Sequence, residues 1–249
     1  MTLSQTHRLL ALTSTIRKDD MYADMTINCR GNIFKLHKNI VCTQSKPLAA
    51  AFKGNFRESE DSTIVLEDDE LEIVEVMVGF LYEQCLELKA TETNSLLLLA
   101  VKMYVIGDKY DIGALQEEAK NKFEEFAGQT WGDASFIPAL GFIYSQTPDR
   151  VLKDIVIKVV TAHIDKFLAK KEFTDLCEGI AALALDVLKA TRESGDKRKN
   201  SSIDELDVCE ECGGELIDLS LIRGPRRNKM GRFSTGSGRS CFECGILVI

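Results

Sequence analysis

A histidine, a cysteine and a serine lie close together in the segment IFKLHKNIVCTQSKPLAAAF, near the start of the chain. His37, Cys42 and Ser45 fall within nine residues, and side chains of these types act as base and nucleophile in hydrolases. A nucleophile needs a base within hydrogen-bond reach, but a spacing of five residues turns His37 and Cys42 away from each other on a helix. Ser45 lacks the Gly-x-Ser-x-Gly context of an exposed nucleophile. We therefore interpret His37 as a buried histidine at a strand-to-helix junction and Cys42 as a small core cysteine, and we expect no catalytic residue and no enzymatic activity.

Four cysteines near the end of the chain form two matching C-x-x-C pairs. CEECGGEL contains Cys209 and Cys212, and CFECG contains Cys241 and Cys244. Two such pairs complete a tetrahedral zinc site with four thiolate ligands. The 28 residues between the pairs exceed the common spacing of about 15–20 residues, which favours a zinc ribbon with an extended hairpin loop. The pattern predicts structural Zn²⁺, with a redox-active dithiol or an unmetallated tail as the alternatives.

The composition is typical of a soluble globular protein, with 45% hydrophobic and 28% charged residues. No apolar run approaches the roughly 20 residues of a membrane-spanning helix, and the N-terminus lacks the apolar core of a signal peptide. We therefore expect a cytoplasmic or nuclear location and no membrane partner. In that reducing setting the eight cysteines are expected to be free or metal-bound rather than paired in disulfides.

The net charge of −8 conceals a strongly basic segment. The stretch 219–242 contains six basic residues and no acidic residue, so the rest of the chain carries −14. Such a segment can follow the phosphates of a nucleic acid while Phe233 stacks on a base, or it can be a solvated loop or a docking surface for an acidic protein. RRNKMGR also resembles a weak nuclear-import patch. The candidate contact residues are Arg223, Arg226, Arg227, Lys229, Arg232 and Phe233.

Hydrophobic periodicity places these residues on a small sheet and a series of helices. HRLLALTSTIR has Leu9, Leu12 and Ile16 about one turn apart, which indicates a short amphipathic helix. DMTINCRGNIFKLH predicts a hairpin turning at Gly31-Asn32, and residues 38–53 predict two helices broken before Pro47. STIVLED is a further strand. DELEIVEVMVGFLYEQ predicts a helix with one apolar face, and SLLLLAVKMYVIGDKY predicts a central buried helix.

The chain is then predicted to be helical as far as about Glu193. Within 151–167 a stripe of apolar residues must pack against another element, and we expect His163, which lies on this stripe, to be a core histidine rather than a metal ligand. The polar run around 193–206 predicts a linker.

The element order and several local motifs resemble those of a BTB/POZ domain over about residues 15–125. Asp24 matches the aspartate before the first hairpin strand, FKLHKNIV the phenylalanine-x-x-histidine start, SKPLAAAF the serine-anchored helix, and GFLYEQCLEL the aromatic helix end. The resemblance implies an α+β fold in which a helix cluster is flanked by a short β-sheet. The predicted organisation is a BTB/POZ domain with an N-terminal helix at 1–126, a helical extension at 127–192, a linker at 193–206 and a small C-terminal zinc ribbon at 207–249.

The resemblance implies a non-enzymatic protein-interaction adaptor that forms a homodimer and holds substrates to a cullin-type ubiquitin ligase. In cullin-binding members a hydrophobic-x-Glu motif precedes the next strand, and Phe56 and Glu58 of FRES occupy that place. Lys38 stands where many dimeric members carry an arginine that faces the aspartate across the dimer, although lysine lacks the planar fork of arginine. The alternative is a nuclear transcription regulator whose basic zinc tail binds nucleic acid. The dimer-interface candidates are Leu9, Leu12, Ile16, Asp24 and Lys38.

Overall fold

The computed structural model describes residues 3–53, 61–90, 95–147 and 149–203, followed by five short strands nearer the C-terminus. Side chains are described for positions 11–193 within those ranges. The chain divides into two compact units, Met1–Ala190 and Thr191–Ile249. None of the helices in the described ranges is long and apolar enough to cross a membrane.

A three-stranded sheet lies near the start of the first unit. β1 (Met25–Cys29) and β2 (Asn32–Leu36) form an antiparallel hairpin, and β3 (Thr63–Val65) runs parallel to β1 on its other side. Gly31 in the turn has φ +85°, a conformation that glycine adopts without steric cost. The residues of β1 alternate between buried and half-buried, as the period of a strand requires. The hairpin predicted from this alternation is confirmed.

Helices form most of the rest of the described chain. The break predicted before Pro47 is confirmed at Ser45, and the stripe at 151–167 is divided at His163. The helices are α1 (Leu3–Lys18), α2 (Lys38–Gln44), α3 (Lys46–Ala51), α4 (Leu71–Glu83), α5 (Leu96–Lys109), α6 (Gly113–Thr130), α7 (Phe136–Gln146), α8 (Val151–Ala162), α9 (Ile164–Leu168), α10 (Lys171–Gly179) and α11 (Ala181–Ile203).

The segment predicted as a linker at 193–206 is helical as far as Ile203. Its lysine, arginine and glutamate residues are polar but have high helix propensity, so polarity alone did not indicate an irregular segment. The boundary between the two compact units falls between Ala190 and Thr191, inside α11.

The centre of the first unit is α5, which packs against α4, α6 and α7. Leu99, Ala100, Val101 and Met103 are at most 1% exposed, so the prediction of a central buried helix is confirmed. Gly107 allows α6 to approach closely, because a Cβ at this position would lie 3.0 Å from the backbone nitrogen of Gln116.

The described part of the second unit consists of short strands. β7 (Arg239–Cys241) lies between β4 (Leu216–Asp218) and β8 (Leu247–Val248), and both pairings are antiparallel. β5 (Arg226–Arg227) and β6 (Phe233–Ser234) form a separate antiparallel pair. The zinc ribbon stays a prediction, since Cys209, Cys212 and Cys244 lie outside the described residues.

Candidate protein-interaction surface

His37 is held at the junction between β2 and α2 by a network with Tyr82. The backbone N–H of His37 donates to the Tyr82 hydroxyl (3.0 Å), and that hydroxyl donates to Nδ1 of the imidazole (2.9 Å). Nε2–H donates to the carbonyl of Met21 (3.2 Å), and this set of donors and acceptors assigns the imidazole proton to Nε2. Burial raises the pKa of Tyr82. Both ring nitrogens are therefore used within the fold, and the interpretation of His37 as a buried junction histidine is confirmed.

Ser45 and Cys42 also have local structural roles. The Ser45 hydroxyl donates to the carbonyl of Tyr110 (2.6 Å) and accepts from the N–H of Leu48 (3.2 Å), which makes it the N-cap of α3. Ser45 is 1% exposed. Cys42 is half-buried rather than fully buried, and burial raises the pKa of its thiol. The ring nitrogens of His37 are hydrogen-bonded to Tyr82 and Met21, so His37 does not activate the Ser45 hydroxyl or the Cys42 thiol as a nucleophile.

Asp24 and Lys38 contact each other within one chain. The backbone N–H of Lys38 donates to Oδ1 of Asp24 (2.7 Å) at the start of α2, where a carboxylate satisfies a free helix N–H. The Lys38 ammonium donates instead to the Ser62 hydroxyl (3.0 Å) and lies 4.6 Å from the centroid of the Phe52 ring. Asp24 and Lys38 thus fix the entry to α2, and their predicted place in a dimer interface stays a prediction.

The loop between α1 and β1 presents two apolar side chains to solvent. Met21 is 59% exposed and Tyr22 is 85% exposed. The backbone of this loop is tethered by the hydrogen bond from His37 to Met21 and by an ion pair between Lys35 and Asp20 (2.8 Å). Tyr22 has φ +69°, which is unusual for a residue other than glycine. These exposed side chains were not identified from the sequence.

The predicted interface residues of α1 have different environments. Ile16 is partly buried against the core, and Arg17 next to it forms an ion pair with Glu83 of α4 (3.1 Å). Leu12 is 56% exposed, so it is available for contact with another chain. The side chain of Leu9 lies outside the described residues.

The outer face of the first-unit sheet carries two further exposed apolar residues. Ile33 in β2 and Val65 in β3 are each paired with Asn28 of β1, which places all three in one cross-strand row. Ile33 is 66% exposed and Val65 is 53% exposed. The sequence signal for this face was the alternation of buried and half-buried residues in β1. Asp24 and Ser62 line a groove beside Ile33.

A charged network attaches α11 to α7 and α8. Asp186 of α11 accepts hydrogen bonds from the Tyr144 hydroxyl (2.8 Å) and from Nη1 of Arg150 (2.7 Å). Burial of the Asp186 carboxyl favours its neutral form, but the hydrogen bonds from Tyr144 and Arg150 outweigh this effect and lower its pKa. Arg150 also forms an ion pair with Asp154 (3.0 Å).

His163 is stacked rather than enclosed in the core. Its ring lies parallel to the Trp131 indole, with centroids 3.7 Å apart and an angle of 9°, and Lys166 lies 4.8 Å from the Trp131 centroid. His163 is half-buried, so it is less buried than the core histidine that we expected. Where side chains are described, no three His, Cys, Asp or Glu residues are grouped to hold a metal ion.

Several predicted site residues lie outside the described part of the chain. The cullin-binding candidates Phe56 and Glu58 are among them, as are Arg223, Lys229 and Arg232. For others the structure gives only a place on a strand: Arg226 and Arg227 in β5, Phe233 in β6 and Cys241 in β7.

Residues 14–124 are similar to a known family of protein domains. The family model for the BTB/POZ domain matches this range. The human "Kelch repeat and BTB domain-containing protein 4" is 28% identical over 101 residues, which are 41% of this chain and 18% of that protein. The Drosophila melanogaster "Zinc finger protein chinmo" is 31% identical over 107 residues, 43% of this chain and 18% of that protein. The solved BTB domain of human gigaxonin is 16% identical, with a TM-score of 0.38, and the match covers 48% of this chain and 91% of that domain. The matches to the Kelch repeat protein and to chinmo each span under a fifth of the length of those curated relatives.

Proposed function

Because residues 14–124 form a BTB/POZ domain, we propose that the protein is a protein-interaction adaptor that self-associates and holds clients to a cullin-type scaffold. The observation that carries this proposal is the set of exposed apolar side chains on tethered backbone at the start of the domain. Apolar residues on a preorganised surface favour association, because little conformational entropy is lost on binding.

Self-association is supported by the surface of α1 and the loop that follows it. Leu12, Met21 and Tyr22 are all more than half exposed, and aromatic residues and methionine are enriched at protein interfaces. Sedimentation of the full chain measures the assembly directly. We expect a dimer mass for the wild type and a monomer mass for a Leu12→Asp, Tyr22→Asp variant.

Cullin binding is supported by the hydrophobic-x-Glu pattern of Phe56 and Glu58. The test is co-purification of the full chain with the N-terminal region of a cullin, comparing wild type with a Phe56→Ala, Glu58→Ala variant. A control is the Leu168→Ala, Glu172→Ala variant, because it also removes one exposed apolar and one exposed acidic side chain and both residues lie away from the candidate surface.

Selective loss of binding in the Phe56, Glu58 variant supports the adaptor function. Failure of the wild type to bind would overturn the cullin part of the proposal, and equal loss in both variants would show that the effect does not depend on the motif. Fluorescence of the single tryptophan, Trp131, verifies that the first unit of each variant is folded.

A second candidate function is nucleic-acid binding by the basic segment. The specific observation is that Arg227 in β5 is paired with Phe233 in β6. This pairing places a basic residue and an aromatic residue opposite each other on one hairpin. Phosphate contacts release counterions, so binding to a single-stranded oligonucleotide should fall steeply between 50 and 200 mM salt, on the order of 10³-fold for about six contacts. Absence of oligonucleotide binding at about 50 mM salt would contradict the nucleic-acid function, and binding that persists at about 200 mM would show that phosphate contacts do not dominate it.

A further inference from the structure

The helix α11 carries apolar residues on two opposite faces. Leu183 and Val187 are 0% and 9% exposed and belong to the core cluster of the first unit. Leu185 is 49% exposed and Leu188 is 67% exposed. Consecutive helix residues are about 100° apart around the axis, so Leu185 lies about 160° from Leu183. A helix on the surface of a globular unit normally has one apolar face, and a second apolar face indicates a contact beyond the core.

The outward face of α11 has a definite order of residues. From the N-terminal end it presents two alanines, then one leucine, and then a leucine followed by a lysine, all of them exposed. Intervals of three, four or seven residues place these side chains along one side of a helix. Leu185 lies at the centre of the set, with small residues towards one end and large residues towards the other. We call this set the outward stripe: Ala181, Ala182, Leu185, Leu188 and Lys189.

The sizes of these residues fit a second copy of the stripe that runs in the opposite direction. With a two-fold axis at Leu185, Leu188 of each copy lies beside the alanine pair of the other copy. The alanines and Leu188 are all three or four positions from Leu185 along the helix. Large side chains pack closely when they alternate with small ones across a contact. A parallel pair would instead set leucine against leucine and alanine against alanine, which leaves a gap at the alanine end.

The charges at the two ends of the stripe favour the same arrangement. Lys189 is exposed four residues after Leu185. Glu178 is exposed near the end of α10, three residues before α11 begins. The antiparallel arrangement brings Lys189 of each copy towards Glu178 of the other, whereas a parallel arrangement brings two lysines together. Opposite charges attract and like charges repel at such a contact, so the order of charges favours a second copy of this chain over a partner with charges of one sign.

We propose that α11 pairs with α11 of a second copy through the outward stripe, in antiparallel orientation about Leu185. Specific interfaces bury about 800 Å² on each partner, and the four apolar side chains of the stripe provide a smaller contact. The pairing is therefore weak and forms at high concentration. In the dimer proposed above, each chain presents one stripe, so the pairing links dimers into larger assemblies. That last step rests on the proposed function, whereas the pairing of two stripes does not.

The experiment is sedimentation of the full chain over a concentration series. The Leu12→Asp, Tyr22→Asp variant isolates the stripe, because it removes the apolar side chains on which the proposed dimer depends. We expect this variant to change from monomer to dimer as the concentration rises, and the wild type to change from dimer to larger species. Adding Leu185→Asp should weaken the association at least about tenfold, because it buries a carboxylate in an apolar contact. Leu168→Asp is the matched control and should leave the association unchanged, since Leu168 is 56% exposed but lies in α9.

Charge reversal tests whether the occupant of the stripe is a second copy. In the Leu12→Asp, Tyr22→Asp background, Lys189→Glu and Glu178→Lys should each weaken the association about threefold, because exposed ion pairs contribute little. A chain with both reversals should recover the association of the parent, since it exchanges the two charges and keeps the pair. A mixture of the two single reversals should recover it as well. Trp131 fluorescence verifies that the first unit of each variant is folded.

Absence of any rise in mass with concentration, in the wild type and in the Leu12→Asp, Tyr22→Asp variant, would overturn the proposal and leave the stripe to a different protein. Equal loss in Leu185→Asp and Leu168→Asp would also overturn it, as would a failure of the paired charge reversals to restore association. Failure of the proposed function has a different signature. In that case the Leu12→Asp, Tyr22→Asp variant would have the same mass as the wild type at the dilute end of the series.

Discussion

The two units of this chain use cysteine and apolar residues in opposite ways. In the first unit the cysteines are isolated from one another and the thiol pKa values are raised by burial, while a large apolar cluster forms the core. In the second unit the cysteines occur in two pairs and the strands contain only two or three residues. The first unit is thus stabilised by removing apolar surface from water, and we expect the second to depend on a bound ion.

This contrast explains why the two regions require different experiments. A large core loses free energy when one buried side chain is truncated, because a cavity remains. A unit held by metal loses its structure when a ligand is removed, because the free energy of metal binding is also free energy of folding. Mutations chosen from each region can therefore test the contrast separately.

Phe123→Ala tests the apolar contribution and should have the largest effect. Phe123 lies in α6 within the core cluster and is 0% exposed. Truncation of a buried phenylalanine lowers the free energy of unfolding by about 3–5 kcal/mol. Urea denaturation followed by the fluorescence of Trp131 measures the first unit selectively, because this is the only tryptophan of the chain.

The control for this prediction is Phe233→Ala in the second unit. It should leave the Trp131 transition unchanged, and Phe123→Ala should leave the zinc content unchanged. A shift of the Trp131 transition by Phe233→Ala would break the comparison, since it would mean that the two units unfold as one cooperative structure.

Gly107→Ala sharpens the account of the first unit by testing how closely its central helices approach. A Cβ at Gly107 would lie 3.0 Å from the Gln116 backbone nitrogen, whereas a Cβ at Gly128 in α6 meets nothing within 4 Å. Overpacking at Gly107 should lower the free energy of unfolding by about 1–3 kcal/mol. Gly128→Ala should raise it by about 0.5–1 kcal/mol, because alanine has the higher helix propensity.

Equal effects of the two alanine substitutions on the urea midpoint would contradict this account. Both positions lie within helices, so propensity alone predicts the same sign for both. Opposite signs can arise only from the different space around the two Cβ positions.

Much of the first unit was predictable from the sequence because its signals are local. The alternation of Met25, Ile27 and Cys29 indicated the hairpin, and the continuous apolar run of α5 indicated a buried helix. The cap at Ser45 followed from the proline two residues later. In each of these cases the periodicity of the side chains or the chemistry of a turn fixes the element without information from distant residues.

The contacts that sequence reasoning missed join residues that are distant in the chain. Trp131 stacks on His163, and Tyr144 donates to Asp186 across 42 residues. No periodicity in either segment specifies its partner. The exposed position of Tyr22 was missed for a related reason, since it depends on the tether between His37 and Met21. The candidate interaction surface was therefore less predictable than the fold that carries it.

Asp186→Asn tests the smallest expected effect, at the helix that crosses the boundary between the two units. The Asp186 carboxylate faces the guanidinium of Arg150 and the hydroxyl of Tyr144, and Lys189 and Asp154 contribute charge nearby. Because the pKa of Asp186 is lowered on folding, its contribution to stability is present above the ordinary pKa of 3.8 and is lost as pH falls through the lower, folded value. At neutral pH the variant should be less stable by about 1 kcal/mol, since an amide accepts these hydrogen bonds less strongly than a carboxylate.

The measurement is the difference in the free energy of unfolding between wild type and Asp186→Asn from pH 7 to pH 3, monitored by Trp131 fluorescence. The difference should be constant in the neutral range and should shrink below pH 3.8, where wild-type Asp186 begins to bind a proton in the unfolded chain. Asp154→Asn is the matched control, because its exposed i,i+4 ion pair with Arg150 is worth only about 0.3–0.5 kcal/mol. A difference for Asp186→Asn that does not change with pH would mean that the Asp186 side chain supports α11 through packing. In that case the attachment of α11 would resemble the apolar core of the first unit, and charge would have no special role at the boundary.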